Sequence, residues 1–341
     1  MKHITGSLIG FATLLAMAAP AGAQQSLTVY CAAPAEWCEQ MVGEYRRKTG
    51  INVLMTRRSA GETYAQVRAE AARPRGDVWW GGTGDNHLQA AAEGLTVEYE
   101  SPAMRGLYPW AVDQWQRSNK RTVGVYTSVL GLTYNTQILA KKGLPEPRCW
   151  KDLLNPKFRD EIQMADPNSS GTAYTMLATI DQLFGHGPGF DYLKALHSNI
   201  ASYTKSGGAP ARNTALGEVG VGGTFGQDAV KEAIAGAPVK LVMPCEGTGY
   251  EVGSMSIIRG TGNMDAARAW YDWALTPEAQ ALGFKAQIYQ VMSNRNTEVP
   301  AQAPKASEIK LIDYDFAKYG SSEVRKNLLD RWTREVQARA R

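Results

Sequence analysis

The sequence predicts an α/β fold arranged as two domains. Short β-rich runs alternate with helical patterns, the 341 residues exceed a single domain of about 150, and no low-complexity tract, internal repeat or flexible linker separates the halves. Alternation of this kind implies a mostly parallel sheet with helices on both faces. Two domains without a linker imply that the chain crosses between them more than once, through strands acting as hinges.

The N-terminus reads as an export signal. Lys2 and His3 precede an apolar stretch, Leu8 to Ala19, and Ala21-Gly22-Ala23 supplies small residues in the order a signal peptidase accepts. The stretch is shorter than the roughly 20 apolar residues needed to span a bilayer. Residues 1–23 are therefore expected to be a signal peptide and the mature protein periplasmic. No cysteine follows the small residues, so no lipid anchor is expected.

Leu27 to Tyr30 reads as the first strand. From Glu36 to Thr49, Trp37, Met41 and Tyr45 recur four apart on one helical face. Ile51 to Met55 is a strand, Thr63 to Ala72 a helix, Asp77 to Trp80 a strand and Asp85 to Glu93 a helix. Two adjacent strand patterns follow, Thr122 to Tyr126 and Val129 to Tyr134. Beyond them come a strand at Glu161 to Ala165 and helices at Thr172 to Phe184 and Phe190 to His197. A strand at Val219 to Val221, a helix at Asp228 to Ala235 and strands at Val239 to Met243 and Val252 to Ile258 continue the pattern. Helices at Met264 to Leu275, Pro277 to Lys285 and Ser322 to Ala340 complete it.

Charge narrows the partners. With 37 Lys+Arg against 33 Asp+Glu, there is no concentrated basic stripe of the kind nucleic acid requires. Four cysteines in an exported chain permit three pairings. Local pairing of Cys31 with Cys38 and a long-range link from Cys149 to Cys245 is the arrangement expected. No Cys-x-x-Cys or histidine partner stands at zinc-ligand spacing, and no metal or cofactor is expected.

In open α/β sheets, ligands settle beyond the carboxyl ends of the strands, where helix N-termini offer unpaired N–H groups. The loops there are Cys31 to Pro34, Arg57 to Thr63 and Gly81 to Asp85 in the first half. In the second they are Asp166 to Thr172, Lys205 to Gly208 and Thr224 to Asp228. Ser, Thr and Asn at such positions also cap helices, and Gly turns chains. Their recurrence after successive strands is what points to one shared cleft. Pro244-Cys245-Glu246-Gly247-Thr248-Gly249-Tyr250-Glu251 adds carboxylates near a strand end, although Glu246 and Glu251 could equally pair with surface arginines. Trp79 and Trp80 read as core, and His87, His186 and His197 as surface histidines.

Catalytic motifs are missing. The chain has no Gly-x-Ser-x-Gly elbow, no His-Glu-x-x-His and no phosphate-binding Gly-x-x-x-x-Gly-Lys-[Ser/Thr]. Gly81-Gly82-Thr83-Gly84 lacks the spacing of a dinucleotide fingerprint. No catalytic residue is assigned, and an exported hydrolase is the remaining reading from another class.

The segments Gly76 to Asp85, Leu132 to Thr136, Asn168 to Tyr174, Pro244 to Ser254 and Tyr271 to Ala279 resemble periplasmic substrate-binding proteins of ABC importers. The branch is extracellular solute-binding family 1, with ferric-iron, thiamine, polyamine, aminoethylphosphonate and hexose-phosphate receptors. The resemblance runs over nearly all of the mature chain. It implies a type II periplasmic-binding-protein fold of two lobes joined by hinge strands near Thr122–Ser128 and Glu251–Ser254. Residues 24–124 and 252–295 would form lobe 1, residues 125–251 lobe 2, and residues 296–341 a C-terminal segment packed mainly on lobe 2. The lobes of such receptors close on a ligand by hinge motion, and ligand favours closure because it touches both. The implied partners are a small-molecule ligand and an ABC permease in the inner membrane, with the receptor itself a monomer.

Ferric receptors of the branch carry adjacent tyrosines where this chain has Thr224-Phe225-Gly226-Gln227-Asp228, which disfavours ferric ion. Hexose-phosphate relatives share the Pro-Cys-Glu-Gly-Thr-Gly-Tyr-Glu run and an acidic pair mapping to Asp228 and Glu251, with histidine where Gln227 stands. A glutamine can still hydrogen-bond a hydroxyl. The expected ligand is a sugar phosphate or phosphonate. Its anionic group is expected against Ser59, Gly61, Thr83, Ser169, Ser170 and Thr172, and its polar remainder against Gln227, Asp228 and Glu251. A cationic ligand, polyamine or thiamine-like, on Glu246, Glu251 and Asp228 is the alternative within the same fold.

Overall fold

The computed structural model describes residues 26–339; the expected signal peptide, and Ala340 at the end of the last predicted helix, lie outside the described residues. The first βαβ series matches the alternation in the sequence: β1 (Ser26–Cys31), α1 (Ala35–Thr49), β2 (Asn52–Arg57), α2 (Ala60–Ala69), β3 (Val78–Trp80) and α3 (Gly84–Ala92). Helix α1 buries Trp37, Cys38, Met41, Val42 and Tyr45 on one face and stops at Gly50, whose φ of 71° suits a residue without Cβ. Helix α2 starts three residues before the apolar period does, because Ser59 caps it and its N–H donates to the Glu62 carboxylate at 3.2 Å.

After α4 (Pro109–Arg117) the chain enters β4 (Val123–Asn135), then α5 (Thr136–Lys142), β5 (Ile162–Ala165), α6 (Gly171–Phe184), α7 (His186–His197), β6 (Ile200–Thr204) and α8 (Ala209–Leu216). It continues through β7 (Val221–Phe225), α9 (Gly226–Ile234), β8 (Val239–Val242), β9 (Tyr250–Ile257), α10 (Met264–Ala274), α11 (Pro277–Gln280), α12 (Leu282–Lys285) and β10 (Val291–Met292). Helices α13 (Phe316–Tyr319) and α14 (Ser322–Trp332) close it, the latter running into a wider π turn at Thr333–Gln337.

Several elements differ from the sequence reading. The two predicted strands at 122–134 are one continuous strand, because Thr127 and Ser128 stay in register with Val252 and Glu251 of β9. The predicted strand at Val219 to Val221 lies further on, over Val221–Phe225. Gly222 and Gly223 conceal it in the sequence, and a Cβ at Gly223 would meet the Met164 sulfur at 2.2 Å. The helix expected over 277–285 breaks into α11 and α12, and the last helix ends at Trp332. Helices α4, α5 and α8 and strands β6 and β10 are additional to the elements read from the sequence.

The sheet runs in the order β2-β1-β3-β9-β4-β7-β5-β6, with β8 and β10 also pairing β4. It is parallel at its two ends, β2-β1-β3 and β7-β5-β6, and antiparallel where β9 and β4 join them. The expectation of a mostly parallel sheet thus holds for each half and fails at the junction. Two main hydrophobic cores result. One gathers Leu27, Trp37, Trp80 and Tyr126 with Met255, Trp270 and Met292; the other gathers Leu132, Trp150, Tyr174 and Val221 with Val252, Tyr314 and Trp332. Strands β4 and β9 each feed both, so the chain passes between lobes along these strands and once more between Met292 and Tyr314. Among the described residues no helix is long and apolar enough to cross a membrane.

Both expected disulfides are present, Cys31–Cys38 seven residues apart and Cys149–Cys245 ninety-six apart. A longer closed loop constrains the unfolded chain more, about 5 kcal/mol against about 2 for the short loop. Replacing Cys149 and Cys245 by serine should therefore lower unfolding stability in urea more than replacing Cys31 and Cys38. The reverse order would mean that strain or local packing, and not chain entropy, governs these bridges.

Candidate ligand-binding cleft

A cavity of about 580 Å³ lies between the two cores. Six helices begin at its wall. Pro34 and Ala35 open α1, Ser59 and Ala60 open α2, and Thr83 precedes α3. Ser170 and Gly171 open α6, Gly208 and Ala209 open α8, and Phe225 precedes α9. Strand ends from both halves aim these N-termini at one volume, so their unpaired amides and the positive ends of their dipoles converge.

Of the residues singled out in the sequence, Ser59, Thr83, Ser170, Thr172, Gln227, Asp228 and Glu251 line this cavity. Gly61 and Ser169 do not; they touch each other instead, the Gly61 N–H donating to the Ser169 carbonyl at 3.0 Å. The serines and threonines that line the cavity also make bonds within the protein, and Ser170 caps its helix. Ser170 Oγ accepts from the Ala173 amide at 3.3 Å, Thr83 Oγ1 donates to Asn86 Oδ1 at 2.9 Å, and Ser59 Oγ donates to the Lys205 carbonyl at 3.1 Å across the cleft. Of the run Pro244 to Glu251, only Glu251 reaches the cavity. The Glu246 carboxylate instead accepts from the backbone N–H groups of Trp150 and Lys151, at 2.8 and 3.0 Å.

The cavity also holds groups the sequence reading left unassigned. Arg57, Arg212 and Lys231 bring positive charge, Ser206 and Gly207 bring a further turn, and Tyr126 supplies the one tyrosine among the described lining residues. Its hydroxyl accepts from the Gly82 N–H at 2.8 Å and so anchors the glycine turn. Arg57 Nε donates to the Ala33 carbonyl at 3.1 Å, and Lys231 bridges to Glu36 at 3.2 Å. The loops containing Arg57 and Ser206 were legible as strand-end loops. Arg212 and Tyr126 sit inside a helix and a strand, where nothing in the local sequence marks them.

His87 corrects a further expectation. It is fully buried, stacked on Trp79 at 3.9 Å, and burial pushes its pKa down to about 3. The neutral ring has one N–H. Since the Gly81 carbonyl 3.1 Å from Nε2 can only accept, Nε2 donates to it, and Nδ1 accepts from Ser256 Oγ at 2.8 Å. His197 is buried as well, 3% exposed, while the His186 side chain keeps the exposure expected of a surface histidine. Trp79 and Trp80 are buried core, as the sequence suggested.

Two acids sit among the amides. Burial raises Asp228 from 3.8 to about 6, against the pull of the Thr224 hydroxyl 2.8 Å away and of Lys231. Burial also drives Glu251 well above the usual carboxylate range, with Asp228 and Asp85 adding repulsion. The Gln227 amide donates to Asp228 Oδ1 at 2.9 Å. The wall thus offers strong acceptors for hydroxyl or ammonium donors beside many donors for an anion.

A carboxyl whose pKa is higher folded than unfolded stabilises the fold fully below its unfolded pKa, and that stabilisation is lost as pH rises through the folded value. For Asp228 the window runs from about pH 4 to about pH 6. Asp228→Asn should flatten this part of the pH–stability curve. From pH 4 to pH 7 the parent should lose on the order of 1–2 kcal/mol relative to the variant. Urea unfolding across that range checks it, and coincident pH profiles would contradict the assignment.

Comparison with known proteins places this geometry. The periplasmic binding protein AfuA of Actinobacillus pleuropneumoniae, whose structure has fructose 6-phosphate bound, superposes with a TM-score of 0.89 at 42% identity, covering 93% of this chain and all of AfuA. The periplasmic binding protein P5PA superposes with a TM-score of 0.89 at 35% identity over 92% of this chain and 99% of its own. An uncharacterized protein of Haemophilus influenzae is 42% identical over 325 residues, 95% of this chain and 94% of the relative. Residues 84–319 match the family model described as bacterial extracellular solute-binding protein. The chain belongs to that family and has its two-lobed α/β fold.

Proposed function

We propose that the cleft captures a sugar phosphate or phosphonate, and that the protein is the substrate-binding subunit of an ABC importer. In this reading the signal peptide is removed on export, and the mature receptor works as a periplasmic monomer. It hands its solute to a permease in the inner membrane without transforming it. The observation that carries the ligand class is the pairing of six converging helix N-termini with the acceptors Asp228 and Glu251 in one cavity. An anionic group suits the amides of the helix starts, with Arg57 and Arg212 adding charge. Hydroxyls on the remainder of the ligand suit the carboxylates, above all that of Glu251, to which no described residue donates a hydrogen bond.

A bare ferric ion would leave the converging N–H groups without an acceptor, and the single lining tyrosine already accepts from Gly82. The bound fructose 6-phosphate of AfuA, at 42% identity over nearly the whole chain, supports the same class of solute here.

Calorimetric titration of protein stripped of endogenous solute by unfolding and refolding tests the proposal. Fructose 6-phosphate, glucose 6-phosphate and 2-aminoethylphosphonate are the anionic probes, against spermidine and ferric citrate. At least one anionic probe should bind. Thr172→Val and Glu251→Gln should each weaken it tenfold or more, about 1.4 kcal/mol, with the secondary structure unchanged. Binding of spermidine or iron alone would overturn the ligand class.

A further inference from the structure

Gly61 is the second residue of α2 and does not line the cavity. Its backbone is not left-handed, so an L-residue could occupy the position without strain, and alanine is the better helix former. Its own lobe gives glycine no advantage. The three atoms nearest a Cβ placed there all belong to the facing lobe: the Asn168 and Ser169 carbonyl oxygens, each at 2.7 Å, and the Ser169 carbonyl carbon at 3.0 Å. These are backbone atoms, and their loop is braced. The Asn168 N–H donates to Asp166 Oδ1 at 2.8 Å, the Ser169 and Ser170 N–H groups donate to the Asp166 carbonyl at 3.1 and 2.8 Å, and Ser169 Oγ reaches the Lys205 carbonyl at 3.0 Å. A side chain at position 61 could therefore be accommodated only by moving the lobes apart.

The Gly61 N–H lies in the first turn of α2, where no carbonyl of its own helix is available. Its acceptor is the Ser169 carbonyl across the cleft, at 3.0 Å. Beside it, Ser59 Oγ donates to the Lys205 carbonyl at 3.1 Å. The seam recurs at Gly171, where a Cβ would meet Thr83 Oγ1 of the opposite lobe at 2.1 Å.

We infer that Gly61 is a closure-determining residue: its missing side chain lets the start of α2 hydrogen-bond the Ser169 carbonyl, and this backbone latch holds the two lobes shut without touching the solute. The inference rests on the reading that the cleft closes over a captured solute. It assigns Gly61 and Ser169 a positioning role in place of the contact expected from the sequence. Closure sets the dissociation rate in such a device, since the latch exists only when the lobes meet.

The test uses the mature protein with Gly61→Ala and Gly61→Val. The probe is fructose 6-phosphate, with 2-aminoethylphosphonate and spermidine as second and third probes. Stopped-flow and calorimetry should show affinity reduced at least tenfold in Gly61→Ala, chiefly through faster dissociation. X-ray scattering at saturating probe should give a larger radius of gyration than the parent's. The unfolding temperature of the solute-free variant should equal or exceed the parent's, because alanine favours the helix. Parent-like affinity with a parent-like scattering curve would overturn the latch, and so would a lowered unfolding temperature, which would make Gly61 a folding residue. If the parent binds spermidine and neither anion, the ligand class fails while the latch is judged on spermidine by the same readouts. If the parent binds none of the three, solute-free scattering decides: a more extended Gly61→Val supports the latch, and superimposable curves refute it.

Discussion

The continuity of two antiparallel strands constrains everything else in this molecule. β4 and β9 pair through Thr127↔Val252 and Ser128↔Glu251, at the level where each passes from one hydrophobic core to the other. A hydrogen-bonded ladder cannot be interrupted cheaply, so the lobes are tied edge to edge while each keeps its own parallel strands. With both parallel sets ending at this junction, the helix starts of the two lobes face one another. Glu251 stands at the crossing itself, on β9, beside Ser128 of β4, which brings a strand residue into the cavity wall. Gly253, two positions on, makes room for the Tyr126 ring, whose Cε2 would lie 2.0 Å from a Cβ there.

The cleft balances opposing demands on its charges. Buried acids cost free energy when ionised and unpaired, yet Asp228 and Glu251 sit beside helix starts that favour negative charge. Partial relief comes from the Thr224 hydroxyl and the Gln227 amide at Asp228. No described residue donates a hydrogen bond to the Glu251 carboxylate. A solute that donates to these oxygens would supply what the protein omits, and so would share in stabilising the shut form.

Much of this was legible in the sequence, for physical reasons that differ by element. Helix α1 announces itself through Trp37, Met41 and Tyr45, and the Gly81–Asp85 turn through its glycines, because periodicity and turn chemistry are local. The serines and threonines at 59, 83 and 170 stand at the N-cap positions of helices, and helix starts cluster at strand ends, so the cleft is legible from them. Strand β7 is hidden because Gly222 and Gly223 carry no apolar signal, although Gly223 is what allows Met164 to pack close and Gly222 the Pro210 carbonyl. Arg212 and Tyr126 reach the cavity through tertiary folding alone. The sequence points Gly61 and Ser169 at a solute, whereas they meet each other, since proximity between distant loops leaves no trace in either loop's composition.

The buried imidazole of His87 has a bearing on acid tolerance. Histidine ordinarily changes charge near neutrality, and such a change beside the Gly81–Gly82 turn would disturb the very backbone that Tyr126 anchors. Packed on Trp79 and held neutral down to about pH 3, the ring keeps this turn indifferent to mild acidification while the carboxylates around the solute respond to it. The frame and the grip thus titrate in separate ranges: mild acid reaches Asp228 and leaves the His87 ring neutral.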